Sequence, residues 1–125
     1  MCPVYINRIA SIHAESRNEK PYFSAQEPDY KEMITNANLR RRMSRMIKMG
    51  VACGLECLKD IPSEKVDAII TATGLGCLAD TEKFMNALMD NREQMLNPTV
   101  FIQSTFNTVG AQLALLLKIH AYNVT

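Results

Sequence analysis

The pattern with the most chemical content is Gly74-Leu75-Gly76-Cys77-Leu78-Ala79, which fits G-x-G-x-x-A between a predicted strand and a predicted helix. Dinucleotide sites use this arrangement because glycines let backbone approach a pyrophosphate, which then sits on the helix N-terminus. They also need an acid about 20 residues on, at the end of the next strand, to hold the ribose. Glu93 lies near that distance but precedes the next extended segment, and that segment ends in Gln103. A nucleotide site therefore lacks its second half. Two other uses of the glycines stay open: a plain tight turn, or a wall along which an elongated ligand passes close to backbone.

The remaining reactive side chains do not assemble into a known machinery. Cys53 and Cys57 are one helical turn apart within an apolar pattern, without the knuckle spacing or ligand number of a zinc site. No metal is expected, and core packing is the better reading of these thiols. Ser104 and Thr105 precede a predicted helix, a place where a hydroxyl can be activated or can cap. No G-x-S-x-G surrounds Ser104, and His13 and His120 have no acid partner at fixed spacing, so capping is favoured over a hydrolase triad. Arg40-Arg41-Arg42-Met43-Ser44-Arg45, with Lys48 beyond, is the one dense basic run. It suits a phosphate, but without interleaved aromatic residues to stack on bases nucleic acid is not expected, and a solvated helix face is the simpler reading.

The elements that must hold these residues alternate between strand and helix. Val4 to Ile9 is β-branched and aromatic and predicts a strand. Residues 11–38 run polar and predict a long loop. From Leu39 to Lys59, Met43, Met46, Ile47, Val51, Leu55 and Leu58 recur at helical spacing, with Gly50 and Gly54 permitting close packing. Val66 to Thr73 predicts a strand covered on both faces. A helix follows from Asp80, with Phe84, Met85, Leu88 and Met89 inside. Asn97-Pro98 predicts a loop, Val100 to Ile102 an extended piece, and Asn107 to His120 a helix whose buried face is Val109, Leu113, Leu116 and Leu117. Tyr122 to Thr125 leads into a last strand. The alternation argues α/β with a mainly parallel sheet.

Length and composition agree with one domain spanning residues 1–125. Hydrophobic residues make up 47% and charged residues 22%, enough to build a core, and a formal net charge of +1 gives no global field. The longest apolar run, Leu113 to Leu117, is far short of the ~20 residues that cross a bilayer. No signal peptide is expected at Met1-Cys2-Pro3-Val4, which makes the cytoplasm the expected compartment and reduced thiols the expected state of the four cysteines.

The segment Asn97-Pro98-Thr99-Val100-Phe101-Ile102-Gln103-Ser104-Thr105-Phe106-Asn107-Thr108-Val109-Gly110-Ala111-Gln112-Leu113-Ala114 resembles the stretch of β-ketoacyl-acyl carrier protein synthases that precedes their nucleophilic cysteine. A proline, a short Phe-containing piece, Ser-Thr and an Asn-headed helix with small residues follow one another there. The upstream strand ending in Thr73-Gly74-Leu75-Gly76 and the helices around it are similar in order. The resemblance covers nearly the whole chain but about the first third of a synthase.

It implies a partial thiolase-like fold, the N-terminal part of one layered α/β/α half, from an enzyme that works as a dimer. Such enzymes load an acyl chain from a carrier protein onto cysteine and condense it with a decarboxylating malonyl unit. The resemblance places the nucleophile after the strand near Asn123, beyond Thr125, and the catalytic histidines later still, so no catalytic residue is expected here. It sets out as acyl-pocket or interface candidates Gly74, Leu75, Gly76, Phe101, Ile102, Ser104, Thr105 and Asn107. Leu75 matches a pocket gate. Phe101 and Ile102 match residues that approach the neighbouring subunit's pocket. The implied substrate arm is the phosphopantetheine of a carrier protein, with no resident cofactor, and the implied partners are that carrier or a full-length synthase subunit. Two readings follow: an N-terminal synthase portion inactive alone, or a non-catalytic synthase-like partner subunit. A small nucleotide-binding domain is the third.

Overall fold

A computed structural model of the chain describes residues 3–14 and 24–125; Cys2 lies outside them. Two short helices, α1 (Tyr30–Met33) and α2 (Ala37–Arg41), interrupt the segment expected to be loop. Each starts on a side-chain cap, Asp29 accepting from the Lys31 amide and Asn36 from the Leu39 amide. The helix expected over residues 39–59 is broken: after α2 the chain turns at Arg42 to Ser44, and α3 runs Arg45–Cys57. The break resets the helical phase. Met43, Ile47 and Val51 are buried as expected, whereas Met46 faces solvent.

The sheet has two parallel strands, β1 (Ala68–Ile70) and β2 (Tyr122–Val124), with Ala68 opposite Tyr122 and Ile70 opposite Val124. The Thr71 amide extends the ladder by donating to the Val124 carbonyl at 2.9 Å. The crossover between the strands carries α4 (Leu78–Asp90), α5 (Pro98–Ser104) and α6 (Thr108–Leu117). This is the expected α/β order with a parallel sheet, smaller than the sequence predicts.

Two segments differ from expectation. Val4 to Ile9 forms no strand: Val4 is 96% exposed, and no ladder partner stands beside it among the described residues. Arg8 instead ties this segment to the end of α3, donating to the Lys59 carbonyl at 2.6 Å and pairing with Asp60 at 3.7 Å. A cation there meets the negative end of the helix dipole. Val100 to Ile102 is helical rather than extended. Asn97 accepts from the Thr99 amide at 2.9 Å and Pro98 occupies the first turn, so the pair read as a loop is a helix start. The Phe101 ring then packs on Phe84 of α4, centroids 5.4 Å apart, which rewards the helical spacing.

Helix α6 is the central element. Val109 and Leu113 on one side lie over Gly50 and Gly54 of α3, while Gly110 on another lies against the sheet. A Cβ at Gly50 would sit 2.7 Å from Val109 Cγ1, and one at Gly54 2.5 Å from Leu113 Cδ1. A Cβ at Gly110 would meet Asn123 Oδ1 at 2.7 Å and Thr71 Oγ1 at 2.9 Å. The core of Ile34, Met43, Ile47, Val51, Ile69, Cys77, Leu113 and Ile119 condenses around this contact.

Gly50→Ala sets a helix-propensity gain of about 1 kcal/mol against an overpacking cost of about 1–3 kcal/mol. Val109 is β-branched and stiff in a helix, so the cost wins at Gly50, whereas Leu113 can rotate away from an alanine at Gly54. Urea denaturation should show Gly50→Ala the more destabilising of the two, with Val109→Ala restoring part of the loss; equal, neutral effects would contradict the close crossing.

Candidate functional site

Beyond the C-terminal ends of both strands lies an open cleft of about 720 Å³, lined by Thr71 to Cys77, Thr81, Ser104, Phe106 and Thr125. Clefts in open α/β sheets occupy this position because the loops leaving the strands diverge there. Its first wall is the expected glycine turn. Gly76 has φ +59°, a left-handed backbone that favours glycine, and its amide donates to Thr73 Oγ1 at 2.9 Å. A Cβ at Gly74 would touch nothing within 4 Å, and Leu75 between them is 77% exposed.

The second wall is the elbow between α5 and α6, where the helix axes bend by 108°. Ile102 O accepts from Thr105 Oγ1 at 2.8 Å and from Thr108 Oγ1 at 2.5 Å, and Thr81 Oγ1 of α4 reaches Ser104 O at 3.1 Å. These bonds fix Phe106 at the bend, against Gly76: a Cβ there would be 3.5 Å from Phe106 Cβ.

The structure divides the candidate residues. Gly74, Leu75, Gly76 and Ser104 share the cleft. Phe101 packs on α4, and Ile102 lines a separate hollow of about 120 Å³ with Leu39, Met43 and Ile47. Thr105 works inside the elbow, and Asn107 is the N-cap residue of α6 without a side-chain cap bond. Phe106 and Thr81 join the site though sequence patterning gave no reason to single them out. The only available signal was their position next to the Ser-Thr pair and in the first turn after the glycines.

Three of the cleft's five hydroxyls, those of Thr73, Thr81 and Ser104, are engaged with the protein, whereas Thr125 Oγ1 is buried without a hydrogen-bond partner among the described residues. Ser104 Oγ donates to Phe101 O at 2.7 Å, in the manner of a helix back-bond. Thr73 accepts from the turn and Thr81 donates across the walls. Burial pushes the Cys77 thiol above its ordinary range, and the neighbouring Asp80 carboxylate raises it further. A protonated thiol is a poor nucleophile. No histidine lines the cleft: His120 lines a different hollow with Ser63, Asp67 and Lys118, and His13 Nδ1 lies 3.2 Å from Ser11 Oγ.

The other motifs are absorbed structurally. Cys53 is likewise raised, by burial first and by Cys57 second, and among the described residues no group of three or more potential ligands converges on a metal position. Within the basic run, Arg40 bonds the Ile34 carbonyl and Arg45 pairs with Glu27. The dinucleotide fingerprint finds no second strand, because α5 stands where it would be, and Glu93 sits in the turn after α4 at φ +64°. No single helix among the described residues is long and apolar enough to cross a membrane.

Cys77 should resist iodoacetamide at neutral pH, its alkylation followed by mass spectrometry rising only as pH climbs past the ordinary thiol range. A pKa raised on folding contributes stability that is present below the unfolded value and lost as pH rises through the folded one. Alkaline conditions should therefore loosen the chain, and Cys77→Ala should remove that component; rapid labelling at pH 7 would contradict the burial.

The sequence model of the family described as beta-ketoacyl synthase, N-terminal domain, matches residues 13–123. No curated protein matches the sequence. Among solved structures, the chain is similar to one from the ketosynthase ApeO in complex with its chain length factor ApeC, from Xenorhabdus doucetiae, with 24% identity and a TM-score of 0.62. The match covers 82% of this chain and 39% of the other, and at that identity it is a likeness of fold.

Proposed function

The chain belongs to the β-ketoacyl synthase N-terminal domain family, with a partial thiolase-like α/β fold, and from that premise we propose that it is the N-terminal portion of a ketosynthase whose glycine-turn cleft borders the acyl chain. The reaction of the assembled enzyme is transfer of an acyl group from a carrier protein and its decarboxylative condensation, in the cytoplasm, with the phosphopantetheine arm as substrate and no resident cofactor. This chain contributes wall rather than nucleophile. The observation that carries the reading is the cleft itself: it stands at the strand ends where chemistry is built in α/β folds, yet its thiol is buried and protonated and its serine is bonded to backbone.

The chain's own residues then have defined tasks. The Gly74-Leu75-Gly76 turn brings backbone near the substrate path, Cys77 and Phe106 exclude water, and the Thr105–Thr108 elbow holds the second wall in place. A second reading, a non-catalytic partner subunit, is favoured by the apolar side chains that α4 and α5 leave exposed, Met85, Met89, Phe101 and Ile102, and by the solved relative, a ketosynthase bound to a chain length factor.

Incubation with acyl-acyl carrier protein, read by intact-mass spectrometry, should give no acyl adduct on any cysteine of this chain; robust thioester formation would overturn the assignment of an inert wall. Gel filtration with light scattering separates the two readings: a stoichiometric complex with a full-length synthase supports the partner subunit, and a monomer that binds none removes it.

A further inference from the structure

We infer that α4 and α5 form a flap that opens as one unit on the glycine turn and the α5–α6 elbow, so that access to the cleft is set by this hairpin rather than by any one lining side chain. The motion is independent of which ligand the cleft takes.

The two helices hold each other and little else. Phe101 packs on Phe84, Thr81 Oγ1 of α4 donates to Ser104 O of α5, and among the described residues α4 packs on no other element to a comparable extent. From Thr81 to Asn107 no residue is buried. The anchors lie just outside: Cys77 and Asp80 are buried on one side, Thr108 and Gly110 on the other. A hollow of about 120 Å³ separates Thr99, Ile102 and Gln103 of α5 from Leu39, Met43 and Ile47, so α5 is not close-packed on the core. The far tip adds no support. Arg92, Glu93 and Met95 there have φ of +49°, +64° and +49°, a left-handed backbone that side chains rarely adopt, and Met95 is 97% exposed. A segment with so little buried surface opens at a lower free energy than the core it leaves.

Both ends of the hairpin border the cleft. At the start of α4 the hinge is Gly76, left-handed and held by one hydrogen bond to Thr73 Oγ1. At the end of α5 the hydroxyls of Thr105 and Thr108 both donate to Ile102 O. Thr108 belongs to α6 and is 3% exposed, so its bond is the latch between flap and core. A swing about these ends changes the width of the cleft. It also carries outward Cys77, the N-cap residue of α4, which lines the cleft and is 5% exposed in the closed position.

Amide hydrogen exchange of the full chain, read residue by residue by NMR, tests the unit. The amides of α4 and α5 should share one opening free energy and one urea dependence, both smaller than those of α3 and α6, with protection lower by about tenfold or more. Thr108→Val, which keeps the side chain's shape and removes the latch hydroxyl, should raise exchange across both hairpin helices about fivefold and leave α3 unchanged. Alkylation of Cys77 at fixed pH should rise by the same factor, while that of Cys53 and Cys57 stays constant. Circular dichroism checks the fold, and Thr105→Val, which removes the other hydroxyl from Ile102 O, serves if Thr108→Val does not fold. Hairpin protection equal to that of α6, or separate urea dependences for α4 and α5, overturns the flap; Cys77 alkylation that ignores the latch overturns its control of the cleft.

Discussion

The contact on which the rest of the molecule depends is the crossing of α3 and α6 at Gly50 and Gly54. Methyl groups of Val109 and Leu113 occupy the space that side chains at those positions would fill, at separations no ordinary Cβ tolerates. Two glycines in a helix interior cost about 1 kcal/mol each relative to alanine. The core residues Ile47, Val51 and Leu113 close over the crossing and offset that cost. Because Gly110 lets an adjacent side of α6 approach Thr71 and Asn123 equally closely, one helix helps to fix the distance from α3 to the sheet.

The cleft inherits its geometry from that stack. The N-terminus of α6 is the far side of the α5–α6 elbow, so placing α6 places Phe106. The C-terminal end of β1 is the near side of the glycine turn, so placing the sheet places Leu75 and Gly76. The cleft is the gap left between a packed elbow and a loosely held turn. The hydroxyls of Ser104 and Thr105, plausible as reactive groups by position, are bonded to backbone carbonyls in the fold.

Several elements were legible because they carry their own signals. The apolar spacing of α3 and the Leu-rich α6 declare type and buried face, the β-branched run at β1 declares type alone because Ile69 is buried while Ile70 is exposed rather than covered, and the order of elements gives a parallel crossover. The two misread strands share one cause. Val4 to Ile9 and Val100 to Ile102 are both rich in β-branched and aromatic residues, yet neither is a strand: among the described residues the first has no ladder partner, and the second begins on an Asn-Pro helix start and docks Phe101 on Phe84. β-propensity describes a side chain suited to a pleated, half-buried surface, and a surface must be present for it to act. Met85 and Met89, read as an inner stripe, are exposed, and the main helix packed against α4 among the described residues is the short α5.

The sequence by itself determined the family, the α/β order and the glycine turn, since these rest on residue identity and spacing along the chain. Only the tertiary structure decided which candidates meet. Gly74, Leu75, Gly76 and Ser104 line one cleft, Phe101 and Ile102 lie on other surfaces, and Phe106 completes the wall. The physical reason is that a cleft is a property of the gap between elements. Its width is set where Gly50, Gly54 and Gly110 let helices and sheet approach, at positions distant in sequence from every residue that lines it.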